Sequence, residues 1–245
     1  MKNLIKTLIV IIFLSTPALA YHPLDTEDPG TTEFRHFEME WGNYFIFPED
    51  SLSEVNGYLA IKAGLAPGLE FDSVLNFIYW LDLEEEDNYS SGWGDVDMSL
   101  KYRFLGDSDG PFNMGIVLSA TFPAGMSRIG QCGEYITPSA TLFGSVGVEK
   151  LRLFLMSGVN FLPEEKDTMS YGGALEWTLT EKLMLVSEIA GETDFEEGGG
   201  NDPVRAGIGA LFSPVEWLTL SIGGHFGISP HADDFTFTLA TLIGW

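Results

Sequence analysis

The last twelve residues, Asp234-Phe-Thr-Phe-Thr-Leu-Ala-Thr-Leu-Ile-Gly-Trp245, alternate large apolar residues with small or polar ones. Successive side chains of an extended strand point to opposite faces, so Phe235, Phe237, Leu239, Thr241, Ile243 and Trp245 share one face. Thr236, Thr238, Ala240, Leu242 and Gly244 share the other. The same period of two runs through Leu69–Leu83, where Phe71, Ser73, Leu75, Phe77, Tyr79, Leu81 and Leu83 stand against Glu70, Asp72, Val74, Asn76, Ile78, Trp80 and Asp82. Twelve segments carry it: Arg35–Phe47, Glu54–Ala63, Leu69–Leu83, Asp95–Leu105, Phe112–Phe122, Tyr135–Val148, Leu151–Phe161, Thr168–Leu179, Leu183–Thr193, Val204–Phe212, Leu218–Phe226 and Phe235–Trp245.

An apolar face that recurs in nearly every segment needs an apolar surrounding, and the polar face needs somewhere else to go. A charge facing lipid at the bilayer midplane costs about 2–4 kcal/mol, so the charged faces must line a lumen. The connections agree. Short turns at Gly64–Gly68, Glu149-Lys150, Thr180–Lys182 and Ser213–Trp217, with a slightly longer one at Gly106–Pro111, alternate with long polar stretches at Glu84–Gly94, Pro123–Glu134, Asp194–Pro203 and Gly227–Asp234. Outer-membrane barrels put short turns in the periplasm and long loops outside. The expectation is an all-β, transmembrane, antiparallel up-and-down β-barrel of 12 strands, with 10 as the alternative if two segments merge. A soluble β-sandwich also alternates, but the outer face of each of its sheets would be polar.

Lys2 and Lys6 flank an apolar run from Leu4 to Leu14, broken by Thr16-Pro17 ahead of an Ala18-Leu19-Ala20 cleavage motif. That run falls short of the roughly 20 apolar residues needed to cross a bilayer. Residues 1–20 therefore read as a signal peptide, 21–34 as an N-terminal periplasmic segment and 35–245 as the barrel. Removing Lys2 and Lys6 and no acid takes the formal charge from -24 to -26, which repels phosphates and excludes nucleic acid as a partner. The single cysteine, Cys132, lies in a Gly-rich stretch and reads as a free loop thiol or an intermolecular bridge. The four histidines, His22, His36, His225 and His231, show no metal-ligand spacing, so neither metal nor cofactor is expected.

Pro23-Leu-Asp-Thr-Glu-Asp-Pro-Gly-Thr31 followed by Phe37-Glu-Met-Glu-Trp41 resembles the opening of the outer-membrane family named for the MetA pathway of phenol degradation. Gly94-Asp-Val-Asp-Met-Ser-Leu-Lys-Tyr-Arg-Phe104 is similar to a central strand of that family, and Asp109-Gly-Pro-Phe112 and Thr121-Phe-Pro-Ala-Gly125 resemble its next turn and strand end. The resemblance implies a passive channel or uptake protein for small, aromatic or hydrophobic solutes in the outer membrane of a Gram-negative bacterium. It assigns no catalytic residue. The terminal Trp245 resembles the signal by which the outer-membrane assembly machinery recognises its clients. That machinery, outer-membrane lipid and lipopolysaccharide are the expected partners, beside a small-molecule solute.

Alternation places Glu38, Glu40, Lys62, Glu70, Asp72, Lys101, Arg103, Arg152 and Glu176 on inward faces near the periplasmic strand ends, as a lumen charge cluster. Two roles are open for it: a salt-bridge ladder that fills and rigidifies the barrel, or a constriction that selects solutes by charge. In the outer half Asp95, Asp97, Glu188 and Glu192 outnumber Arg205, and Asp82–Asp87 and Asp194–Glu197 add acidic loops. Such carboxylates suit either a solvated rim or hard divalent cations. The alternative to a channel is accordingly a closed, lumen-filled barrel whose acidic loops serve adhesion, partner binding or envelope integrity. A lipid hydrolase would need a Ser–His pair such as His225 with Ser221 or Ser229 and Glu216, yet His225 alternates to the inner face, away from lipid. No enzymatic activity is expected.

The alternation of connections sets a test of topology. Cysteines introduced at Glu86 or Gly199 should react with an impermeant reagent on intact cells, and cysteines at Pro67 or Glu181 should not; the reverse pattern would mean a strand miscounted before that point.

Overall fold

The structure, a computed structural model, describes residues 25–47, 54–83, 88–89, 91–108, 110–126, 133–163, 166–194 and 202–245. The leader, Cys132 and the acidic stretches 84–87 and 195–200 lie outside the described residues. The strands are β1 (Phe37–Phe47), β2 (Glu54–Ala66), β3 (Leu69–Leu83), β4 (Asn88–Tyr89), β5 (Gly92–Leu105), β6 (Phe112–Phe122), β7 (Thr137–Val148), β8 (Leu151–Asn160), β9 (Thr168–Thr180), β10 (Leu183–Asp194), β11 (Val204–Val215), β12 (Leu218–Gly227) and β13 (Phe235–Gly244). Each pairs antiparallel with its sequence neighbours. The two-residue β4 pairs only with the outer end of β3, and β3 passes directly to β5.

β1 pairs with both β2 and β13, which closes a barrel of 12 strands. Closure extends one residue past β13. Trp245 donates its backbone N–H to the Phe37 carbonyl at 2.9 Å and accepts from Phe37 N–H at 3.0 Å, while the two rings stack 6.4 Å apart. The expected strands are all present, with ends shifted by up to three residues, and β2, β9 and β11 run further into their turns than periodicity shows.

Alternation sorts the side chains as lipid and lumen require. Trp41, Leu118, Leu155, Ile189, Ile208 and Ile222 are exposed on the outer face, whereas Glu40, Lys62, Glu70, Lys101, Asn113, Glu188, Thr219 and His225 are buried inside. The two walls of the lumen differ. β1, β2, β3 and β5 carry a continuous run of charges, while on β8–β11 Phe154, Ala174, Val186 and Leu211 pack into a small apolar cluster with Met184.

Residues 25–34 are not a segment outside the barrel, as the sequence reading has them. Residues 25–32 lie in the lumen, hydrogen-bonded to Glu188, Arg103 and Glu70 and ion-paired to Lys101 on its wall, and Glu33 and Phe34 are exposed at its base. At the base the chain is pinned where Gly64 has no side chain: a Cβ there would sit 1.9 Å from the Glu33 carbonyl oxygen. Arg35 N–H donates to Gly64 O at 2.9 Å, and Arg35 itself turns into β1 at φ 71, a left-handed conformation rare outside glycine. Inside the barrel Glu27 and Asp28 meet the Lys101 ammonium and Asp25 meets Arg205, contacts that hold the segment there.

Removing Trp245 deletes two ladder hydrogen bonds and the Phe37 stack at the seam. The truncated protein should lose the folded, heat-modifiable electrophoretic form and accumulate in the periplasm; normal outer-membrane levels would show that the seam closes without it.

Candidate functional site

The charged wall is built by register. Glu38 lies opposite Lys62, Lys62 opposite Asp72, and Glu70 opposite Lys101. Within it Lys62 Nζ reaches Glu40 Oε2 at 3.7 Å, and Tyr58 donates its hydroxyl to Glu40 Oε1. Glu70 Oε2 accepts from Thr32 N–H at 2.5 Å and Thr32 Oγ1 at 2.9 Å. Lys101 does not take Asp72 as its partner. Its ammonium contacts Glu27 at 3.0 Å and Asp28 at 3.8 Å, both from the inserted segment, and lies 5.3 Å from the centre of the Phe143 ring.

The nine residues expected to share one level divide into two groups. Glu38, Glu40, Lys62, Glu70, Asp72, Lys101 and Arg103 form the continuous wall on β1, β2, β3 and β5, where Arg103 donates to the Pro29 carbonyl at 3.0 Å and to Ser108 Oγ. Arg152 and Glu176 face each other on β8 and β9, and Arg152 donates to Gly110 O and Ser145 Oγ, each at 3.1 Å. They border a cavity of about 460 Å³ with Asp28, Pro29 and Gly30, at the short-turn end of the barrel.

Of the carboxylates expected to make the outer half acidic, Asp95, Asp97 and Glu188 are hydrogen-bonded structural anchors, while Glu192 lines a cavity. Asp95 accepts from Ala124 and Gly125 N–H on one side of the β6–β7 connection and from Gly133 N–H on the other, at 3.1, 2.8 and 2.8 Å. Asp97 takes Asn76 and Thr121. Glu188 collects the most donors: Oε1 accepts from Asp25 N–H at 2.8 Å and lies 2.9 Å from His225 Nε2, and Oε2 accepts from Thr26 N–H and Oγ1 at 2.8 and 2.6 Å. Arg205 adds an ion pair to Asp25 at 2.9 Å. The ring nitrogen that contacts Glu188 is His225 Nε2, and Ser229 Oγ donates to Asp202 O, so neither is arranged as a Ser–His pair.

Two further cavities lie in this outer half. One, of about 480 Å³, is lined by Tyr44, Asn56, Asn76, Ile78, Asp95 and Thr121; Asn56 Oδ1 is buried beside it with no hydrogen-bond partner among the described residues. The other, of about 310 Å³, is lined by Asp25, Glu27, Ser119, Thr141, Glu192 and Arg205, so the inserted segment separates it from the cavity at the short-turn end. Asp25, Glu27 and Asp28 are the candidate-site residues that sequence reasoning missed, and His225, read as inward-facing, was not expected to meet Glu188. The one signal for the three acids was the acid-rich Asp25-Thr-Glu-Asp28 stretch ahead of the first strand.

No protein-family model matches the chain, and no curated protein matches it. Solved structures do. The barrel superposes on the COG4313 outer membrane channel from Pseudomonas putida F1 at 12% identity and TM-score 0.69, over 92% of this chain and 100% of that one. It matches the KdgM porin at 12% identity and TM-score 0.61, over 84% and 98%. The CymD monoaromatic hydrocarbon channel follows at 8% identity and TM-score 0.51, over 86% and 88%. At such identities the likeness shows the fold alone, a closed antiparallel transmembrane β-barrel.

Lys101 links the segment to the charged wall, and losing it leaves Glu27 and Asp28 without their cation. Lys101→Ala should lower stability by on the order of 3 kcal/mol, the scale for removing one partner of a buried pair. Adding Glu27→Gln and Asp28→Asn should recover part of that loss. Thermal unfolding in detergent reads both; an unchanged midpoint for Lys101→Ala would show that the pairs do not hold the segment.

Proposed function

We propose that this protein is a passive channel for small solutes in the outer membrane of a Gram-negative bacterium, with its own residues 25–32 acting as the element that limits passage. The observation that carries this reading is the lumen: a closed barrel whose polar interior holds solute-sized cavities on both sides of a tethered segment. The channel and porin barrels of like fold support it, as does the family resemblance in Gly94–Phe104.

For the solute class we propose small aromatic or otherwise hydrophobic molecules bearing a hydrogen-bond donor. The 480 Å³ cavity offers the ring of Tyr44 and the side chain of Ile78 as apolar faces and the free acceptor Asn56 Oδ1 as a polar one. A ligand pocket of this kind pairs apolar walls with a few fixed polar groups.

The second reading, a filled barrel that conducts nothing and serves adhesion or envelope integrity, draws its support from the same tethered segment. Planar-bilayer recording separates the two. The channel reading predicts measurable conductance for the intact protein and a clear increase on deleting residues 25–33, with a folded barrel confirmed by heat modifiability. Absence of conductance in both proteins would overturn it.

A further inference from the structure

We propose that Asp25, Glu188 and His225 form a binding site for a divalent transition-metal ion of the zinc class, which would staple the N-terminal segment to the barrel wall. One carboxylate oxygen from each acid and one imidazole nitrogen lie within 4.8 Å of one another. Zinc bonds of about 2.0–2.2 Å to oxygen and nitrogen place tetrahedral ligand atoms roughly 3.4 Å apart, so a modest contraction completes three ligands. The fourth position stays open to water.

The sheet itself prepares the convergence. Glu188 on β10 lies opposite Gly207 on β11, and Gly207 opposite His225 on β12, so the two ligands flank a position that carries no side chain. Over that gap Glu188 Oε1 and His225 Nε2 already approach to 2.9 Å. Asp25 arrives from the segment, held by its own N–H on Glu188 and by Arg205. Arg205 offsets one of the two carboxylates and the imidazole is neutral as a ligand, which leaves one negative charge to receive the ion.

Ligation exchanges one contact for another without net redox change. At rest Nε2 carries the ring proton as donor to Glu188, so ligation passes that proton to solvent while Nδ1 takes one up; the ion then takes the Nε2 lone pair, and Glu188 Oε1 turns from the ring to the metal. Glu188 Oε2 retains Thr26 N–H and Oγ1. An imidazole in the set favours zinc, copper, nickel or cobalt over calcium and magnesium, which prefer all-oxygen cages.

The test is calorimetry and thermal unfolding of the refolded full barrel in detergent with zinc ion alone, in a Cys132→Ser background that removes the thiol. Saturable one-to-one binding and a raised melting temperature are expected, with magnesium and calcium giving neither. His225→Gln keeps a donor towards Glu188 but loses the imidazole, and Asp25→Asn keeps its backbone N–H on Glu188 but loses the carboxylate, with a folded barrel confirmed for both by heat modifiability. Each should weaken zinc binding at least about ten-fold, the scale on which metal sites respond even to changes beyond their direct ligands. No saturable zinc binding, or binding of unchanged affinity in both variants, would overturn the assignment. Because the readout is binding and not conductance, its failure would leave the channel reading untouched.

Discussion

A closed sheet in a membrane has one place for its charged side chains, the lumen, and inside a lumen each charge has to be paired or hydrogen-bonded. In this barrel the wall does not supply all the partners. Lys101 faces into the interior with Glu27 and Asp28 as its nearest acids, Arg103 spends a donor on the Pro29 carbonyl, and Arg205 closes on Asp25. Although the wall carries acids of its own, with Glu70 opposite Lys101, these partners come from the chain's N-terminal segment. Its path is set by these contacts, from Glu188 in the outer half past Lys101 to Glu70 near the base. What remains of the interior is divided into cavities on either side of it.

The barrel is legible in the sequence because membrane burial enforces a strict period of two. Phe71 to Asp82 shows it, with Ser73 the one small polar residue on the apolar face, and the connections alternate in length as a barrel requires. The inward direction of all nine charged residues follows from the same rule. Which of them meet does not follow, since alternation gives a face and no partner across the lumen. Arg152 and Glu176 share their orientation with Lys62 and Asp72, yet sit on the far wall against Gly110 and Ser145.

The inserted segment was illegible for a different reason. It has no regular secondary structure and therefore no periodicity, and its contacts span the chain: 163 residues separate Asp25 from Glu188, and 37 separate Glu188 from His225. Spacing rules for metal or catalytic residues work within a turn or a helix and cannot reach across such separations. Asp95 shows the same effect on a smaller scale. It reads as one acid of a rim, and the structure uses its two oxygens to hold both ends of the β6–β7 connection.

The central claim is that residues 25–32 occupy the lumen, and one cross-link tests it directly. A Cβ built on Gly172, on the inner face of β9, would lie 2.8 Å from Thr26 Oγ1, close to the distance between a Cβ and the far sulfur of a disulfide. Thr26→Cys with Gly172→Cys, in a Cys132→Ser background, should form an intramolecular disulfide in the assembled barrel under mild oxidation. The product is read as a mobility shift reversed by reductant. Two free thiols that both remain open to alkylation after oxidation, in a barrel shown to be folded, would contradict the account.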